Sequence, residues 1–476
     1  MAEFSVMNSQ GFPYGINWSR PPESIADTEL VQAENCEYDE EDGSLKTVQG
    51  VTIKIDMGTS VDTLFYDNRN ACYYFTCGAF IYKTTDMSTY VKLGQTTGTS
   101  KAVYTMYGGV CLVASGGLLQ AITGGNTLTT VTGSPARCDF VTVRTGRVLV
   151  YAGDSDALKY SAIGDYTSWT NAPNDSSSGQ STNVGYKDPG NIIAVDFLSK
   201  AIMVYKEGGR AYKIVGEPQD SDYAVEPVSQ TAYCGSQRAT VSVDSKSYYL
   251  GTAGMMSFQP TNAYGDVQPF EEGLNVNAWI AGNIDDNCEM WRLPNKKQIW
   301  VKTQNDNRIY IYHYIPRYQD GRGAFTVRTM THSLHDVCCV GALVYVAYGN
   351  KIGVLDSSVD TDDGVQLQTA ITSGTKLASK HSILVMSRLF VSQNIIEGTG
   401  TIKCGKKIRN LAFSADSTYA YDATGYAADA TGYAYQESYT RSYKVGGGNN
   451  KSVQVEILVQ SGAISLRELH YEYLEV

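Results

Sequence analysis

From about residue 60 onward the chain repeats one pattern: a short apolar, aromatic run, a turn carrying Gly, Asn or Asp, and a second run. The first copy is Thr63-Leu64-Phe65-Tyr66, turning through Asp67-Asn68-Arg69-Asn70 into Cys72-Tyr73-Tyr74-Phe75. Later copies carry Val110-Cys111-Leu112-Val113-Ala114, Arg147-Val148-Leu149-Val150-Tyr151, Ala201-Ile202-Met203-Val204-Tyr205 and Ser247-Tyr248-Tyr249-Leu250. Two more carry Arg308-Ile309-Tyr310-Ile311-Tyr312 and Ala342-Leu343-Val344-Tyr345-Val346. Their spacing, mostly about 35 to 60 residues, is the scale on which propeller blades recur. One such meander cannot bury both of its faces, so copies must stack. Helical periodicity is nearly absent. The pattern predicts an all-β fold, a β-propeller of about six or seven blades over residues 55–355.

The two ends read differently. Residues 1–54 are irregular, broken at Phe12-Pro13-Tyr14-Gly15 and Arg20-Pro21-Pro22, and are expected to form an N-terminal arm packed on the propeller. Residues 356–476 carry longer runs, Ser382–Val391 and Ser452–Val459, and close on the alternation Ile464-Ser465-Leu466-Arg467-Glu468-Leu469. Half-buried antiparallel strands in a β-sandwich-like C-terminal domain are expected there. Within it lies a Tyr/Gly-rich insertion, 415–437, in which Asp-Ala-Thr-Gly-Tyr-Ala occurs twice, from Asp422 and from Asp429.

Composition sharpens this picture. The 35 Tyr and 46 Gly, against 12 Phe and 12 Pro, suit many short strands joined by tight turns. With 49 acidic and 38 basic residues the net charge is −11, and no long Lys/Arg run is present, which disfavours a protein that grips nucleic-acid phosphates. The ten Cys sit mostly inside apolar runs, with no CxxC pair and no Cys/His ligand spacing, as expected of buried thiols. No signal peptide precedes the arm and no apolar run approaches ~18 residues, so a chain made in a reducing cytoplasm and not inserted in a membrane is expected.

Candidate chemistry is sparse. His332, His335 and Asp336 form the one His cluster, too few for a metal site. Asp360, Asp362 and Asp363 before Gly364 resemble a calcium loop whose ligand alternation does not line up. Ser161 to Trp169 is similar to the Asp-box turn of sialidase-type propellers, which pins a hairpin corner. Neither a nucleophile elbow nor a phosphate or dinucleotide loop appears, so no catalysis, cofactor or metal is expected.

A family resemblance rests on particular stretches. These are Gly15-Ile16-Asn17-Trp18, Pro22 to Leu30, Ala33-Glu34-Asn35, Asp42-Gly43-Ser44-Leu45, Arg144 to Tyr151, Ala211 to Pro218 and the closing Leu469-His470-Tyr471-Glu472-Tyr473. Together they resemble, in a loose pattern over nearly the whole length, the hub or nozzle proteins of short-tailed bacteriophages, also called tail tubular or packaged-DNA stabilisation proteins. The resemblance implies a virion tail protein, assembled in the host cytoplasm as a six-fold ring. It implies a head-to-tail adaptor on one side and a tail fibre, spike or needle on the other, with double-stranded DNA passing through unbound. Six copies at −11 each carry −66, enough to repel DNA from a channel wall. The insertion, through Tyr421, Asp422, Tyr426, Asp429, Tyr433 and Tyr435, is the candidate gate or partner loop. Two other classes fit the same pattern: a glycan-binding or glycan-cleaving propeller of a phage tail, and a generic protein-interaction propeller.

Overall fold

Apolar runs that show no alternation need cover on both faces, and the fold provides it by stacking sheets around a ring. The computed structural model describes all residues except 1–4, 10, 11, 42, 173, 174, 199, 200, 219, 262–265, 305, 306, 378–383, 405, 406, 414–438, 445–451 and 476. The described residues hold seven four-stranded antiparallel units, six of them meanders, so the chain is a β-propeller of seven blades. Blade one spans Val61–Asp67 to Val91–Gln95, blade two Val103–Tyr107 to Thr127–Thr130 and blade three Phe140–Arg144 to Gln180–Asn183. Blade four spans Ile192–Leu198 to Ala224–Ser229, blade five Thr240–Val243 to Val267–Glu271 and blade six Glu289–Leu293 to Ala324–Thr329. Helix among the described residues is confined to Asn277–Ala281 and a 3-10 turn at Glu207–Gly209.

Most of the repeating runs are the second strands of blades. Cys72–Cys77, Arg147–Tyr151 and Ala201–Lys206 are buried at every position. They face neighbouring blades on both sides, which is why they read as continuous apolar runs. Several interfaces between blades form clusters of their own. Leu112, Val141 and Val150 join blades two and three, and Leu149, Val195 and Ile214 join three and four. Outer strands such as Thr127–Thr130 and Val267–Glu271 are largely exposed.

The ring closes through sequence-distant strands. Blade seven holds Leu334–Val340, Leu343–Tyr348 and Lys351–Asp356, and its outer strand is Gly50–Asp56, paired antiparallel from Asp56 opposite Lys351 to Gly50 opposite Asp356. The expected boundary between arm and propeller at 54/55 therefore falls inside a blade strand, and the arm ends before Gly50. The apolar Val51 and Ile55, which that boundary separates, pack into the interfaces on either side of blade seven. The polar stretch at Asp360 is a hairpin, Thr361–Asp362 with Val365–Gln366, laid along the same outer strand.

The arm and C-terminal segment weld onto blade six. Leu30–Glu34 runs parallel to the outer strand of blade six at Glu34 and Val327, and antiparallel to Thr369–Ser373 on its other side. Gly15 passes so close to this edge that a Cβ there would meet the Phe325 carbonyl at 2.5 Å, and its φ of +64° suits only glycine without strain. Glu37 is 2% exposed, accepting from Lys296 Nζ at 2.7 Å and from Gln298 Nε2 at 2.9 Å. Burial alone would raise its pKa, but the Lys296 and Gln298 contacts outweigh it and bring the carboxyl down to about 2.

Thr369–Ser373 leads into a ribbon of two 21-residue antiparallel strands, Leu384–Cys404 and Val455–Glu475. One half of the ribbon is flanked by Lys407–Phe413 and Thr369–Ser373, the other by Tyr439–Lys444 and Ser5–Ser9. Register shifts between Ser392 and Gly400 separate the halves, as where strands turn from one sheet into another. The midpoint is tied down by Asp360 Oδ2, which accepts the Gly462 amide at 2.8 Å, and by the Ser44 and Ser465 hydroxyls, 2.7 Å apart.

Two outcomes follow for stability. Ile55→Ala, in the closing strand, is expected to lose about 3 kcal/mol in chemical denaturation. Because the folded carboxyl of Glu37 titrates below its ordinary 4.5, its stabilisation is complete above about pH 4.5 and fades as pH falls toward 2. Glu37→Gln should therefore cost about 3 kcal/mol at neutral pH and flatten the acid limb of the stability profile.

Candidate functional site

Most consecutive blades pack through their first strands, and the first strand of blade seven packs on that of blade one. Where blades six, seven, one and two meet, a cavity of about 510 Å³ opens on the side of the inter-blade connections. Its charged wall comes from strand ends. Lys101 lies in the connection from blade one to blade two, Glu289 begins blade six, Lys302 ends that blade's second strand and His335 lies in the first strand of blade seven.

These groups interlock across blades. Lys101 Nζ donates to both Glu289 oxygens, at 2.6 and 2.7 Å, and to the His335 carbonyl. Arg238, entering blade five, donates to the Ala102 carbonyl at 2.6 Å and lies 3.5 Å from Asp336 Oδ2. Asp336 also accepts from Trp291 Nε1 at 3.0 Å and from the Leu64 amide at 2.9 Å, so one carboxylate touches blades one, five and six. Burial, reinforced by the Arg238 charge, brings the Lys101 ammonium down to about 8 against the pull of Glu289. His335 Nδ1 lies 2.8 Å from the Val61 carbonyl, which can only accept, so Nδ1 carries the proton and Nε2 is left as an acceptor. Burial first, then Lys101 and Lys302, push the imidazole below its ordinary pKa and keep it neutral.

The candidates read from sequence do not gather here. Tyr421, Asp422, Tyr426, Asp429, Tyr433 and Tyr435 lie outside the described residues. The strands that flank their segment are placed, however. Phe413 pairs with Gly398 and Tyr439 with Gln393, so the insertion leaves and rejoins one edge of the ribbon at its register-shifted midpoint. His332, His335 and Asp336 diverge: His332 Nε2 meets Asp363 Oδ2 at 2.7 Å, while the other two face the cavity network. Asp360, Asp362 and Asp363 also separate, accepting from Gln366, from the Thr331 amide and from Lys351 respectively. The Asp-box-like turn pins a corner of blade three, where Asp165 Oδ1 accepts the Thr167 amide and hydroxyl at 2.8 and 2.6 Å. The nine described cysteines are unpaired, and burial lifts the thiols of Cys339, to about 11, and of Cys138, to about 12, away from thiolate chemistry at neutral pH.

Sequence reasoning passed over Lys101, Arg238, Glu289 and Lys302, which are isolated in the chain and converge only through blade order. One signal was available: Lys302 ends the fully apolar run Ile299-Trp300-Val301, where a charge facing water has no reason to be.

No family model and no curated protein matches the chain. Solved structures similar to it include a streptogramin B lyase, at 12% identity with a TM-score of 0.43 over 65% of this chain and 96% of that one. BamB from Moraxella catarrhalis is similar at 9% identity and 0.41, over 67% and 92%. The WD40 domain of Toxoplasma gondii coronin is similar at 8% and 0.38, over 68% and 86%. What the strand order itself defines is a seven-bladed β-propeller closed by an N-terminal strand, with a C-terminal ribbon fused to one blade.

Lys101→Met leaves the nearly buried Glu289 without its cation and should cost about 3 kcal/mol in urea denaturation. Adding Glu289→Gln to that variant should recover at least about 1 kcal/mol, the mark of direct coupling.

Proposed function

We propose that this chain is a structural subunit of a ring in the tail of a short-tailed bacteriophage, retaining packaged DNA and conducting it on ejection, without catalysis. The observation that carries the reading is the ribbon. Two strands of 21 residues each have a contour length of roughly 70 Å at the usual rise per residue. That is several times the length of any blade strand, and more than one compact core covers. An element of this shape suits a subunit that shares surface with identical neighbours around a channel.

Two features support the same reading. The insertion leaves one edge of the ribbon at its midpoint, so six copies placed around an axis would present six Tyr/Gly-rich segments at one level. The net charge of −11 suits a wall past which DNA slides, because each phosphate contact would add salt-dependent affinity. In this reading an adaptor and a fibre, spike or needle occupy the two ends of the ring.

Quantitative mass spectrometry of purified virions, counted against the portal subunit, is expected to find six copies. Absence from particles, or a number unrelated to six, overturns the ring. Deleting residues 421–434 should leave assembled particles that lose DNA prematurely, and unchanged retention removes the gating role.

A further inference from the structure

Lys302 stands apart from the charge network it borders. It is 3% exposed, its ammonium donates to the Leu334 carbonyl at 2.8 Å, and it makes no ion pair among the described residues. Asp62, on the wall of the same cavity, accepts instead from the Ser60 hydroxyl at 2.8 Å. A buried ammonium has three donors, and one carbonyl together with the Trp291 ring, 5.8 Å away, leaves it without a counter-charge. Glu289 is held by Lys101, and Asp336 is taken up by Arg238, Trp291 and the Leu64 amide, so neither serves Lys302.

The rest of the lining is small, with Thr99 and Asn287 among hydroxyls, glycines and the methyls of Ala79 and Ala102, and it holds no Phe, Tyr, Trp or large aliphatic side chain. Such a wall offers little to an apolar ligand and many hydrogen bonds to a hydroxylated one. Its volume of about 510 Å³ falls within the range of small-molecule sites.

We propose that this cavity is a binding site for an acidic sugar of the hexuronate type, with the sugar carboxylate on Lys302 and the ring hydroxyls on Thr99, Asn287 and His335 Nε2. The site is independent of the ring assembly, so either can fail while the other stands.

Calorimetric titration of the full-length protein with sodium glucuronate, glucose and sodium acetate tests it. Glucuronate is expected to bind at least about 10-fold more tightly than either the neutral sugar or the simple carboxylate. Lys302→Met should weaken glucuronate about 10-fold or more, as expected for loss of a charge-assisted contact. Thr99→Trp, at an exposed position, should block the cavity with thermal stability unchanged. Glu289→Gln, which frees Lys101 for the anion, should instead tighten binding several-fold. No heat with millimolar glucuronate, acetate binding as well as glucuronate, or unchanged binding in folded Thr99→Trp overturns the proposal.

Discussion

Asn35 is the joint on which the arm, blade six and the C-terminal segment depend. Its backbone lies in the left-handed region, at φ 52°, which Asn enters more readily than most residues. From that position its amide donates to the Val327 carbonyl at 2.7 Å and its carbonyl accepts the Val48 amide at 3.0 Å. Its side chain accepts the Thr329 amide at 2.8 Å and donates to the Gln368 carbonyl at 2.9 Å. Three chain segments more than 280 residues apart in places are thereby hydrogen-bonded through one residue. The outer strand of blade six, buried at five of six positions, gains a partner here where outer strands of blades such as two and five stay wet.

That joint explains how a propeller comes to carry a ribbon of this length. Once Leu30–Glu34 is fixed on blade six, Thr369–Ser373 pairs with it, Val455–Val459 pairs with that strand, and the rest of the ribbon follows by ordinary antiparallel pairing. The ribbon is then a continuation of a blade rather than a tethered module. Forces on its far half would reach the propeller through backbone hydrogen bonds.

Buried charge is handled in two ways. Glu37 with Lys296, and Lys101 with Glu289, are close pairs that tie the arm to blade six and blade two to blade six. Desolvation makes such pairs poor sources of net stability but effective at excluding wrong registers, since any slip leaves a charge stranded. Among the described residues Lys302 has no such partner, and its position at the cavity wall, rather than inside an interface, gives that departure a reason.

The alternation of apolar runs and Gly/Asn/Asp turns sufficed, by itself, for the all-β class, the propeller and the approximate number of blades. Those signals come from second strands such as Arg147–Tyr151, whose burial on both faces is written into consecutive residues. Outer strands such as Thr127–Thr130 left no trace, because half-wet polar strands look like loops. Gly50–Asp56 was split between arm and propeller at 54/55 because nothing local records that its partner lies some 300 residues away, at Lys351–Asp356. The charged cavity was illegible for the same reason: Lys101, Arg238, Glu289, Lys302 and His335 become neighbours only when the ring closes. Local burial is encoded residue by residue, whereas ring closure and the meeting of distant charges are properties of the completed circle.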